Sequence, residues 1–164
     1  MNSNITTRPI NPSEHKLLEE FLYQAIYIPK GETPPPRDVI FDPNVYVYIK
    51  NFGSQKGDHC IVAEHDDKVI GAAWARIIPA YGHLDETTPE LAISILPNHR
   101  GQGVGTALME HLFETLRQND YARTSLSVQT NNPAVRFYKR LGYEITQEKL
   151  DHVGNEDYIM VKQL

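Results

Sequence analysis

Arg100-Gly101-Gln102-Gly103-Val104-Gly105-Thr106 follows an apolar run, Leu91 to Leu96, and opens a segment with helical apolar spacing. A strand that passes through a glycine-rich turn into a helix start makes an anion site. The first N–H groups of a helix lack intrahelical partners, and the helix dipole favours negative charge beside them. Glycines let the backbone approach a phosphate closely and take φ > 0 without steric cost. Arg100 adds a cation with a rigid donor fork. These residues therefore predict a phosphate-bearing cofactor.

The spacing narrows the choice. A dinucleotide turn reads G-x-G-x-x-G, whereas this loop reads G-x-G-x-G, too far into the chain to be a first βαβ turn. A P-loop needs Lys followed by Ser or Thr, and no Lys follows here. Taken alone, the loop is also compatible with a glycine-rich helix start that holds no ligand. A second, independent pattern decides: Asn131-Asn132-Pro133-Ala134 leads through Tyr138 to Gly142-Tyr143.

Together the two segments resemble the GCN5-related N-acetyltransferase (GNAT) family. Arg100, Gly103 and Gly105 match its Arg/Gln-x-x-Gly-x-Gly/Ala loop. The later segment matches, roughly, Asn-x-x-Ala-x-x-x-Tyr-x-x-x-Gly-Phe. The resemblance implies acetyl-CoA as co-substrate and no metal. Backbone groups of Ile93, Ser94 and Ile95 are expected to pair with the pantetheine arm like an added strand. The N–H groups from Arg100 through Gly101, Gln102, Gly103, Val104 and Gly105, with Thr106 beside them, are expected at the pyrophosphate. Either Asn131 or Asn132 is expected at the cofactor arm. Asn132 is preferred because its Pro-Ala successor matches one common form. Tyr138 is expected near the thioester sulfur. Without the motif, the two Asn residues would read as helix caps and Tyr138 as a core aromatic.

Acetyl transfer from a thioester to an amine needs a neutral amine, yet alkylamines with pKa near ~10 are mostly protonated at pH 7. A base must take that proton. Fixed donors must stabilise the tetrahedral oxyanion, and a backbone N–H from a bulge on the Ile93–Ile95 strand would serve. The leaving thiolate can use a proton, and a phenol of pKa about 10 is a reasonable donor to a thiolate of pKa about 8.5. That role falls to Tyr138. Glu90 is the leading base, with Glu64, Asp85, His83 or a water chain as alternatives. A one-residue slip of register would turn Glu90 to the other sheet face. The lone Cys60 suits direct attack of the amine without a covalent enzyme intermediate. Its strand-like surroundings predict a small buried side chain.

The elements that must hold these groups follow from periodicity and turn chemistry. Thr6 to Ile10 reads as a strand, at a sheet edge because of Pro9. A helix capped by Asn11 or Ser13 runs to about Tyr27, with Leu17, Leu18, Phe21, Leu22 and Ala25 on one face. Pro34-Pro35-Pro36 must be extended loop. Val45 to Ile49 alternates like a strand but is assigned as a short helix. Asp58 to His65 and Lys68 to Ile78 form a hairpin around Asp66-Asp67. Leu91 to Leu96 leads to the glycine loop. The next helix carries Val104, Ala107, Leu108, His111, Leu112, Thr115 and Leu116 on one stripe. Thr124 to Val128 is a strand, Pro133 starts a helix that Gly142 ends, and Tyr143 to Thr146 and Tyr158 to Lys162 are the last strands. The expected fold is α/β: a mixed, mostly antiparallel sheet of about six to seven strands flanked by helices, in one domain over residues 1–164. That is also the element order of the family, so the resemblance covers nearly the whole chain.

The chain has 164 residues, 40% hydrophobic and 23% charged, which suits one soluble domain with a full core. A net charge of −5 argues against general nucleic-acid binding. There is no bilayer-length apolar run, and the first residues lack a basic region followed by an apolar stretch, so a cytoplasmic protein is expected. The acceptor in this family is bound by the first helix pair, the loop between them and the Pro79–Pro89 segment. Those carry Tyr23, Tyr27, Glu32, Asp38, Asp42, Tyr81, Asp85 and Glu86, which lean toward a small cationic amine. Protein amines remain open, as do other acyl groups. Trp74 and Tyr81 could wall the acceptor pocket, though core packing suits Trp74 better. A homodimer through an edge strand is also compatible. The contrasting reading is a non-catalytic acyl-CoA-binding module of the same fold.

Overall fold

The computed structural model describes residues 4–164. Strand β1 (Ile5–Pro9) leads through a 3₁₀ turn (Pro12–Leu17) into helix α1 (Leu18–Ala25). A second 3₁₀ turn (Arg37–Phe41) precedes the short helix α2 (Pro43–Tyr46). Strands β2 (His59–His65), β3 (Lys68–Arg76) and β4 (Glu90–Ile95) follow, then α3 (Val104–Gln118), β5 (Arg123–Gln129), α4 (Ala134–Arg140), β6 (Glu144–Leu150) and β7 (Glu156–Gln163). All seven strands form one sheet in the order β1-β2-β3-β4-β5-β7-β6. Every neighbouring pair is antiparallel except β4–β5. The mixed, mostly antiparallel sheet with flanking helices is the architecture expected, and β1 lies at its edge.

Alternation along the strands divides the core in two. On one face Leu108, Leu112 and Leu116 of α3 pack on Ile61, Ala73, Leu91 and Leu126. On the other, Leu18, Phe21 and Leu22 of α1 pack on Val62, Ala72 and Trp74. Trp74 is a core residue, its indole N–H donating to the Tyr48 carbonyl at 3.0 Å. Cys60 is buried, and burial drives its thiol pKa well up, so it is no nucleophile at neutral pH.

Four expectations change. The first helix is not continuous from Asn11: residues 12–17 wind as 3₁₀ and α1 ends at Ala25. The tighter turn rotates Leu17 off the apolar face, where it is 40% exposed. The α3 stripe is wider than predicted, with Met109 and Phe113 also buried against the sheet. Strand β6 runs to Leu150 rather than Thr146. Finally, β4 pairs with β3 in unbroken register from Arg76↔Glu90 to Gly71↔Ile95, so the expected bulge on β4 is absent. Register shifts fall instead at Ala63/Glu64 and Ile145/Gln147.

A buried ion pair fixes the segment after α2. Arg76 Nε and a terminal nitrogen donate to the two oxygens of Asp58 at 2.9 and 3.1 Å. Its other terminal nitrogen donates to the carbonyls of Val47 and Lys50 at 3.0 and 2.8 Å. The backbone on both sides of Tyr48 is thereby clamped to β3.

Candidate active site

The parallel pair β4–β5 touches at one position, Glu90↔Ser125. Beyond it the strands splay and open a wedge. Leu96 N–H donates to Ile70 O at 2.8 Å, and a Cβ on Gly71 would meet the Ser94 carbonyl at 3.3 Å. Alternation then turns the backbone of Ser94 toward β3 and that of Ile93 and Ile95 toward the wedge. The opening, rather than a bulge, frees backbone groups on β4. Ser94 does not share the wedge: its buried hydroxyl donates to Phe21 O at 2.6 Å, tying α1 to β4.

At the mouth of the wedge stands the glycine loop. Gly101 and Gly103 take φ of +74° and +80°, and Gly103 is the N-cap of α3. Nothing lies within 4 Å of where a Cβ on Gly101 would sit, so that turn faces open space. Gly105 serves packing: a Cβ there would meet Phe137 at 3.3 Å and Ile95 at 3.4 Å. Val104 is buried, while Gln102 and Thr106 are exposed. Arg100 stands at the entry to this turn. Its guanidinium donates to the Ile95 carbonyl at 2.9 Å and to Gln24 Oε1 at 3.2 Å, so it braces the end of β4 against α1.

A cleft of about 210 Å³ runs inward from the wedge. Ile93, Asn132 and Tyr138 line it, and Asn131 does not. Asn132 Oδ1 accepts from Ala134 N at 2.9 Å, the cap that starts α4, and Asn131 gives its carbonyl to the Tyr27 hydroxyl at 3.2 Å. Tyr138 sits against Phe137 and Tyr143, and burial pushes its phenol up to about 12. It is therefore a protonated donor across the neutral range.

Glu90 lies on the α1 side of the sheet and is 3% exposed. Its Oε2 accepts from the Tyr48 hydroxyl and from Gly82 N at 3.0 Å, while Oε1 is buried without a partner. Burial raises its pKa to about 7, against the two donors and Lys149, which act to lower it. A carboxylate near 7 is suited to take a proton at neutral pH. Gly82 makes the contact possible, because a Cβ there would stand 3.0 Å from the Glu90 carboxylate.

The other bases are placed elsewhere. Glu64 pairs with Arg8 at 3.1 Å between β1 and β2. Asp85 is bound by Arg123 and Thr87, which hold its pKa well down. His83 faces Glu86 at 3.6 Å. Tyr81 lines the cleft as expected and stacks on His152, whose other ring nitrogen is 3.3 Å from Asp42. Tyr27 lines it too. Sequence reasoning missed Tyr48, Ser127, Asp151 and Asp157, which also line the cleft. Tyr48 sat in a stretch read only for secondary structure. Asp157 was passed over beside the final strand.

A seven-stranded, mostly antiparallel sheet flanked by helices, with a wedge between its one parallel pair and a glycine turn at the start of α3, is the acyl-CoA N-acyltransferase fold. The chain belongs to the acetyltransferase (GNAT) family, whose model matches residues 22–143. It is 32% identical over 94 residues to YjcF of Bacillus subtilis, an uncharacterised N-acetyltransferase, covering 57% of this chain and 61% of that protein. The alignment thus spans less than two thirds of that relative. It is 28% identical over 119 residues to the ribosomal protein bS18 alanine N-acetyltransferase of Escherichia coli, covering 68% and 76%. The yncA protein of Salmonella typhimurium, solved with its cofactor acetyl-CoA, shares the fold. Its TM-score is 0.68 at 19% identity, over 99% of this chain and 95% of that one. No helix among the described residues is long and apolar enough to cross a membrane.

Proposed function

We propose that the protein transfers an acetyl group from acetyl-CoA to a primary amine by direct attack in a ternary complex. The observation that carries this is Glu90, a buried carboxylate with pKa about 7 that lies directly behind Tyr48, and Tyr48 lines the same cleft as the Tyr138 phenol. The residues fit the co-substrate. Wedge-facing backbone at Ile93 and Ile95 suits the pantetheine amides, and the Gly101–Gly105 turn at the start of α3 suits the pyrophosphate. Asn132 reaches the same cleft. Acetyl-CoA supplies an activated acyl group as a thioester.

Glu90 takes the proton of the bound ammonium, with Tyr48 holding the carboxylate in place. The neutral nitrogen forms the new N–C bond as the C–S bond breaks. Tyr138 gives its proton to the departing sulfur, and the second proton shed by the acylated nitrogen restores the phenol. Burial weakens a phenol as an acid, but it raises the proton affinity of a thiolate in the same apolar surroundings too. Free wedge-facing N–H groups of β4 supply donors for the oxyanion. The acidic, tyrosine-lined walls favour a small cationic amine as acceptor.

Tyr138→Phe tests the assignment. Turnover should fall by about 10²-fold or more while acetyl-CoA affinity changes little, because a general acid acts mainly in the transition state. Unchanged turnover would remove Tyr138 from the mechanism.

A further inference from the structure

Glu90 shares its sheet face with a second buried carboxylate. Glu90 pairs with Ser125 on β5, and Asp157 pairs with Gln129, four residues further along the same strand. Residues two apart on a strand share a face, so Ser125, Ser127 and Gln129 form one row between the two acids. Ser127 and Gln129 line the cleft, and so does Asp157. Asp157 is 5% exposed, and its Oδ1 is buried with no hydrogen-bond partner. A buried carboxylate oxygen left unpaired is costly unless a ligand completes it.

The surroundings are acidic on balance. Asp151 lines the cleft beside Asp157, but the N–H groups of Val153 and Asn155 satisfy it at 3.0 and 2.8 Å. Asp42 is taken up by His152. Lys149, opposite Asp157 on β6, is the facing cation, and no ion pair joins the two. Burial and Asp151 raise Asp157 to about 6 against the attraction of Lys149, so it is ionised at neutral pH without a hydrogen-bonded cation. The stack of Tyr81 on His152, with Asp42 behind, brings three loops together at this end of the cleft.

We infer that the acceptor is a linear dicationic amine, with one nitrogen presented to Glu90 for acetylation and the second cation bound by Asp157. This deepens, and rests on, the amine-acetyltransferase reading. Four residues of strand and two strand spacings separate the two acids, on the order of 16 Å between their Cα atoms. Side chains that lean inward shorten that span, so the nitrogens should be several methylenes apart.

The test compares α,ω-diaminoalkanes of increasing length with n-alkylamines of the same lengths, by calorimetric binding to the CoA-saturated protein and by acetyl-CoA-dependent thiol release. Longer diamines should bind at least about tenfold more tightly than matched monoamines. Asp157→Asn should erase that advantage. Equal affinity for diamines and monoamines in the unmodified protein would overturn the inference with no mutant needed. So would an advantage that survives Asp157→Asn. Thiol release with monoamines but no diamine preference would overturn the Asp157 site and leave the transferase standing. Asp157-dependent diamine binding without thiol release from any amine would support the site and overturn the transferase.

Discussion

At the residue scale the account turns on one carboxylate and what touches it. As the proposed base, Glu90 at about 7 is protonated and inactive below that pH, and ionised above it. The acid limb of kcat/KM should therefore fall near pH 7. The Tyr48 hydroxyl donates to Glu90 and stabilises its charged form, so Tyr48→Phe should move the limb upward in pH and lower the rate at pH 7 several-fold. Glu90→Gln should abolish the limb along with most of the rate. A pH profile of each variant checks both, and a Tyr48→Phe limb that stays in place would show that the hydroxyl does not tune the base. Of this pair, Glu90 was visible in the sequence because it heads the strand that leads to the glycine loop. Tyr48 was not, because its partner is 42 residues away and only the folded register brings them together.

At the scale of elements, local signals and tertiary constraints divide cleanly. The glycine turn, α3 and α4 were legible because φ > 0, apolar period and Pro/Gly boundaries act within a few residues. The splay of β4 from β5 was not, since it depends on strand partners far apart in the chain. The expected bulge was a local device offered for a need that the wedge meets instead. The contacts of the Arg100 side chain were not legible either: its guanidinium reaches the Ile95 carbonyl and Gln24 on α1, a partner 76 residues away. Arg76 shows what an element needs to carry a site. Its buried pair with Asp58 clamps the segment that bears Tyr48. Arg76→Met leaves the buried Asp58 charge with only the Gly53 and Gln55 N–H groups and no cation, with an expected cost of about 3 kcal/mol. Chemical denaturation measures it, and a loss under 1 kcal/mol would mean that water enters freely.

At the scale of the whole molecule, the sheet acts as a partition. One face carries α3 and α4 with Tyr138, the other α1 and α2 with Glu90, and the wedge joins them. Burying an ionisable base has a stability consequence. The folded pKa of Glu90 lies above its ordinary 4.5, so the folded state holds more protons than the unfolded state between about 4.5 and 7. Its contribution is lost as pH rises through 7. Glu90→Gln keeps the site neutral, so its Tm relative to the unmodified protein should climb as pH passes from 5 to 8. A constant difference would mean that Glu90 titrates normally.

The proposed reaction moves an acetyl group onto an amine in this cleft. The most direct measurement is thiol release from acetyl-CoA across a panel of amines, each against a control without amine. The account predicts release that requires an amine, saturates with it and favours small cationic acceptors. Tight acetyl-CoA binding with no amine-dependent release from any of them would contradict it and mark the chain as a binding module of the same fold.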